Sequence, residues 1–116
     1  VAEKYVEAGI YLSSNKSEEA KILYEEVILS GNKFYSILAL NTIIEKKLIS
    51  DKQKILNYFQ ILEKSISDKS QKDLIILKKA LYHFKLLDNK NENDLLQNLI
   101  KKNSILKPLA QELLKR

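Results

Sequence analysis

The sequence predicts an all-α chain: three antiparallel helix pairs in series, closed by a terminal helix. Three observations carry this. Apolar residues recur at helical spacing from end to end, with no strand-like alternation. Only two Gly and one Pro occur among 116 residues, against roughly 12% in average usage. So few turn residues exclude a β-sandwich or barrel, which needs many tight turns. Hydrophobic residues make up 45% and charged residues 30%, a balance that suits one globular domain and is too apolar for a disordered chain. There is no Cys and only one His. Disulfides, thiolate metal sites, a Cys nucleophile and a multi-histidine metal site are therefore excluded.

The first expected helix covers residues 2–13, with Tyr5, Val6, Ala8, Gly9 and Leu12 marking its apolar side. After a turn at residues 14–16, Ser17 is the expected N-cap of the second helix. Glu18 and Glu19 then lie in its first turn, where the helix dipole favours anions. Ala20, Leu23, Tyr24, Val27 and Ile28 give that helix its face, and Gly31-Asn32 stops it. The third helix, residues 34–47, is apolar over most of its circumference. Asp51 caps the fourth, whose buried face reads Ile55, Tyr58, Phe59, Leu62 and Ile66. Ser70 is the expected cap of the fifth, with Asp73 completing a capping box. That helix runs to residue 87, apolar on nearly every side except a stripe of Gln71, Lys72, Lys78, Lys79 and Lys85. Such a helix should sit between neighbours with one edge in water. Residues 88–91 form the next turn. Leu95, Leu96, Leu99 and Ile100 mark the sixth helix, residues 92–102. Leu106, Leu109, Ala110, Leu113 and Leu114 form a narrow stripe on the seventh, with Lys107, Gln111 and Lys115 opposite and Pro108 harmless in the first turn.

The helices group into units of about residues 1–32, 33–67 and 70–103, with residues 104–116 as a cap. A period in the thirties is a helical-repeat signature. Ala8, Tyr11, Ala20, Tyr24 and Val27 occupy the small, aromatic, small, aromatic and small-apolar positions of the tetratricopeptide repeat, and Tyr35, Leu38 and Ala39 resemble the start of a second one. Lys4, Glu7 and Asn32 depart from the pattern. The chain thus resembles a degenerate tetratricopeptide-like helical-hairpin array. More narrowly it resembles the periplasmic part of the YfgM-type family. Tyr5 with Ala8-Gly9, the Ser17-Glu18-Glu19-Ala20 helix start, Tyr35 to Leu40, Asp73 to Leu81 and the closing Pro108 to Leu114 carry that likeness. It implies a single-pass inner-membrane protein without catalytic signature or cofactor, holding this domain in the periplasm. The partners implied are translocon subunits, a periplasmic chaperone or unfolded polypeptide.

Net charge is +5, unevenly spread. Residues 1–32 carry six Glu against three Lys, and residues 33–116 carry 17 basic against nine acidic residues. A basic body suggests nucleic acid or anionic lipid. However, 19 of the 20 basic residues are Lys, scattered without a run of three, and nucleic-acid sites lean on Arg. The scattered lysines read as solvated surface, and no nucleic acid is expected as partner. His83 lies on the most apolar helix and reads as a core or boundary residue, since no motif supplies it a Ser or Asp partner. Glu18-Glu19 and Glu25-Glu26 read as a solvated helix face rather than an acid–base pair. The run from Asp88 to Asp94 lacks the Gly and Glu of a Ca²⁺ loop.

No apolar run approaches the ~20 residues of a membrane span. Val at position 1, with no Met anywhere, suggests a piece of a longer protein, and any membrane anchor would precede Val1. The expected role is non-catalytic protein binding. By analogy with the tetratricopeptide groove, the first helix of each pair would line an inner curve through Tyr5, Gly9, Leu12, Ser36, Leu40 and Ile43, leaving Leu12 and Leu40 partly exposed. A cytoplasmic scaffold or assembly module is the alternative, followed by a basic nucleic-acid-binding helical domain.

Overall fold

The computed structural model describes all 116 residues and contains seven α-helices and no strand. They are α1 Ala2–Ser13, α2 Ser17–Leu29, α3 Lys33–Glu45, α4 Lys52–Ser65, α5 Lys69–Lys85, α6 Asn89–Lys101 and α7 Lys107–Leu114. The chain forms two units, Val1–Ser65 with α1–α4 and Ile66–Arg116 with α5–α7. Within each, consecutive helices pack on one another, and in the first α3 also meets α1 and α4 meets α2.

A shortage of glycine does not prevent tight turns, because four helices end without it. Asn15, Lys47, Leu87 and Asn103 follow α1, α3, α5 and α6 with φ of 61°, 54°, 60° and 52°. At each, the next N–H reaches back five residues to a carbonyl: Lys16 to Tyr11, Leu48 to Ile43, Asp88 to His83, Ser104 to Leu99. This is the closure that usually places glycine at the left-handed position. Only the α2–α3 turn does so, through Gly31 at φ +79°. The expected hairpins α1–α2, α3–α4 and α5–α6 therefore share one turn chemistry.

Caps differ in part from expectation. Asp51 caps α4 as expected, its Oδ1 accepting from Gln53 N–H at 3.0 Å. Asn32 both follows the Gly31 turn and caps α3, accepting from Phe34 and Tyr35 N–H at 3.0 and 2.8 Å. Ser17 does not cap α2; it is the first helical residue and the cap position, Lys16, makes no side-chain bond. Ser70 does not cap α5, because Asp68 accepts from Gln71 N–H at 3.0 Å and starts the helix one residue earlier than Ser70. Asp73, expected in a capping box with Ser70, is turned inward. Asp88 caps α6, which begins at Asn89, so the acidic run there is helix rather than turn or ion loop.

In the first unit the buried residues include Ala8, Ala20, Ala39, Val27, Ile28, Ile55 and Phe59. Ser36 joins α2 to α3, its hydroxyl within bonding reach of the Val27 and Ile28 carbonyls at 2.9 and 3.3 Å. In the second unit Leu77, Ala80, Leu96, Leu99 and Ala110 form a core, with Leu106, Leu113 and Leu114 packed against it. The closing helix thus covers the α5–α6 pair as expected, with one correction. Leu109 is exposed, since it stands about 100° around the helix from the buried Ala110. A second correction concerns α5: Leu74, Leu81 and Phe84 reach solvent while Lys78 and Lys79 are half-buried. Its main neighbour in this unit is α6, so one helix covers only part of its circumference.

Two predictions follow from this packing. Ala39→Arg places a long cation where no solvent reaches, and should lower stability by about 2–5 kcal/mol in urea unfolding. Leu87→Gly should raise stability by about 0.5–1 kcal/mol, since relief of left-handed strain exceeds glycine's chain-entropy cost. A lowered urea midpoint for Leu87→Gly would show that the Leu87 side chain contributes more than the strain it imposes.

Candidate protein-binding face

Where α1, α2 and α3 meet, four aromatic rings run from interior to surface. Tyr24 on α2 is buried, and its ring centroid lies 5.8 Å from that of Tyr5, edge to face. Tyr5 lies 5.4 Å from Tyr35, and Tyr35 lies 5.0 Å from Phe34, again edge to face. Both arrangements suit the ring quadrupoles. Tyr5 and Tyr35 are half-buried, whereas Phe34 is 64% exposed. Burial raises the Tyr24 hydroxyl's pKa above its ordinary value, and the neighbouring Tyr5 adds to that. Asn32 holds the outer end of the ladder, since its carboxamide fixes the turn from which Phe34 and Tyr35 project.

The expected groove residues separate into two groups. Tyr5, Gly9 and Leu12 on α1 are half-buried. Gly9 stands against the Tyr24 hydroxyl, 3.8 Å from where a Cβ would lie. Ser36, Leu40 and Ile43 on α3 are buried and line no open surface; Leu40 is 1% exposed. Sequence reasoning placed the wrong arc of α3 outward. The helix is apolar on nearly all sides, so its pattern does not say which arc faces water. Phe34 was missed for the same reason. Its signal was its position two residues after a capping Asn, in a first turn that frequently faces solvent.

Polar clusters elsewhere join helices. The Glu25 carboxylate on α2 accepts a bond from the Tyr58 hydroxyl and pairs with Lys54 at 2.8 Å, both on α4. Burial raises its pKa, but Lys54 and Tyr58 outweigh that and hold it below the usual carboxylate range. Burial and the Glu25 bond push the Tyr58 hydroxyl well above a normal phenol. Glu25 is thus not on the solvated face expected of it, whereas Glu26 is exposed and meets Lys4 at 3.2 Å. His83 is buried, and its Nδ1 lies 3.3 Å from Oδ2 of Asp88, the residue that caps α6. The sequence offered His83 no partner because the left-handed turn at Leu87 is what returns Asp88 to it.

Asp73 is buried on α5. Its Oδ2 accepts from the Ser104 hydroxyl at 2.6 Å, and its Oδ1 meets Lys102 Nζ at 2.6 Å. Ser104 in turn accepts from Leu106 N–H at 3.1 Å, so this cluster fixes the entry to α7. Arg116 completes the unit: its guanidinium lies 3.8 Å from the Phe84 ring centroid and 3.0 Å from the buried Glu92 carboxylate. No group of three His, Cys, Asp or Glu side chains is placed to hold a metal ion, and no helix is long and apolar enough to cross a membrane. No protein-family model, curated protein or solved structure matches the chain.

The Asp73 cluster predicts an acid limb. Burial raises the Asp73 pKa, but Lys102 and Ser104 outweigh it, so the native pKa lies below the ordinary carboxylate value. The unfolded state then binds more protons in acid. The stabilisation is complete above the unfolded pKa, near 4, and fades as pH falls through the native value. Asp73→Asn should cost about 2 kcal/mol at neutral pH, below the 3–5 of a fully buried pair because Lys102 reaches water. Its loss of stability between about pH 4.5 and pH 2 should be shallower than that of the unsubstituted chain. Parallel acid limbs would exclude Asp73 as a source.

Proposed function

We propose that this chain is a non-catalytic, tetratricopeptide-like protein-binding module. The observation that carries this reading is the aromatic ladder, whose outermost ring is held in water. Aromatic side chains half out of solvent supply large contact area at low entropic cost and are enriched at binding hot spots. Buried Tyr24 and half-buried Tyr5 and Tyr35 fix the direction of Phe34, so a partner meets a prepared surface. The same closure after α1, α3, α5 and α6 supports a run of short-linked helical hairpins. Partner contacts are assigned to Tyr5, Leu12, Phe34 and Tyr35; Ser36, Leu40 and Ile43 have a packing role.

The cellular setting rests on sequence resemblance to the YfgM-type family. In that setting a membrane anchor holds the module in the periplasm beside the Sec translocon, where it meets a chaperone or an emerging chain. A photo-crosslinking residue at Phe34 or Leu12 in cells tests both parts. Capture of translocon or periplasmic chaperone subunits, abolished by Tyr5→Ala, is the expected result. Capture of cytoplasmic proteins alone overturns the setting, and absence of any Tyr5-dependent partner overturns the face. Phe34→Ser should reduce partner affinity about tenfold or more while changing stability by less than about 0.5 kcal/mol.

A further inference from the structure

The helix α1 is apolar on two opposite sides. Ala8 is fully buried and Leu12 half-buried on the inward side. At 100° per residue, Val6 and Ile10 each stand roughly 160° around the helix from Ala8. They are 60% and 61% exposed, and Ala2 extends their row at the same four-residue spacing. The outer faces of α4 and α6 are different in kind. The exposed side of α6 reads Asn93, Asp94, Gln97, Asn98 and Lys101, and that of α4 is mostly Lys, Gln and Asn. A helix whose outer face carries an apolar ridge at i, i+4 and i+8 is shaped for a helical neighbour.

Charge identifies the chemistry of that neighbour. Glu3 and Glu7 border the ridge along one edge, both exposed, and neither forms an ion pair. The cation nearest in sequence, Lys4, is drawn to Glu26 on α2 at 3.2 Å. The first hairpin as a whole is acidic, with six Glu against three Lys in residues 1–32. A second copy of α1 is a poor match. Antiparallel pairing about a two-fold axis sets each edge against its own copy, glutamate against glutamate.

We propose that the outward ridge of α1, Ala2, Val6 and Ile10 rimmed by Glu3 and Glu7, docks an amphipathic helix of a partner protein whose apolar ridge is flanked by lysine or arginine. This surface is distinct from the aromatic ladder, since Tyr5 faces the other rings, and it stands whether or not the ladder binds.

Two synthetic helical peptides of about 18 residues test it, each with leucine at i, i+4 spacing, one with a lysine rim and one with a glutamate rim. The full chain should bind the lysine peptide in preference to the glutamate peptide, with affinity falling as salt rises. Val6→Ser with Ile10→Ser should weaken binding at least about tenfold. Both residues are exposed, so circular dichroism should show an unchanged fold. Glu3→Lys with Glu7→Lys should reverse the peptide preference. Phe34→Ser should leave peptide affinity unchanged, which separates this surface from the ladder. Binding of neither peptide, equal binding by the serine variant, or an unreversed preference in the lysine variant overturns the proposal. So does a homodimer in sedimentation that the serine variant abolishes, which would make the occupant a second copy.

Discussion

Close approach of helices at alanine is the constraint on which the packing depends. The chain has six alanines, and five of them, Ala8, Ala20, Ala39, Ala80 and Ala110, have no exposed surface. They sit on α1, α2, α3, α5 and α7. A methyl group at the point of closest approach lets neighbouring backbones draw together, so the larger side chains on either side interlock without voids. In the second unit Ala80 and Ala110 lie in one cluster with Leu77, Leu96 and Leu99. In the first, Ala8 is on the same helix as Gly9, where the Tyr24 hydroxyl rests. The aromatic ladder spans three of these helices, α1, α2 and α3, with ring centroids 5.8 and 5.4 Å apart between them.

Alanine sets the spacing, and polar ties select the partner helix and the register. Ser36 at the Val27 and Ile28 carbonyls, Glu25 with Tyr58 and Lys54, and Asp73 with Lys102 and Ser104 each connect different elements, the last two across about 30 residues of sequence. Each also satisfies a group that would be costly to bury alone. These ties are directional where apolar contact is not. The Ser36 bond fixes which arc of α3 turns inward, and thereby that Phe34 turns out.

Helix number and most helix ends were legible in the sequence, because 3.6-residue periodicity and the Asp51 cap are local signals. Where a local signal was misleading, a better acceptor stood nearby. Asp68 accepts the N–H that starts α5, which leaves Ser70 inside the first turn and frees Asp73 for the core. The groove was half legible. Tyr5, Gly9 and Leu12 lie on an amphipathic helix whose inward side the pattern identifies. Ser36, Leu40 and Ile43 lie on a helix with little polar contrast, and a nonlocal bond from Ser36 decided their burial. The His83–Asp88 approach and the Arg116 clamp were illegible for a related reason. The first needs a left-handed leucine, and the second joins residues 24 and 32 positions apart along the chain.

The one arginine bears on how the positive charge is read. A guanidinium stacked on Phe84 and paired with Glu92 has its flat face and its fork already engaged. Arginine is the side chain best suited to phosphate and guanine edges, and this one serves to fasten α5, α6 and the end of the chain to one another. What remains is lysine, distributed along helices and partly committed to Glu25, Glu26, Asp73 and Asp94. A nucleic-acid surface needs its cations concentrated on one track. The aromatic ladder and the α1 ridge, by contrast, lie on the acidic first hairpin and the start of α3. On the proposed reading, a protein partner buries the rings and the α1 ridge while matching the glutamates beside them.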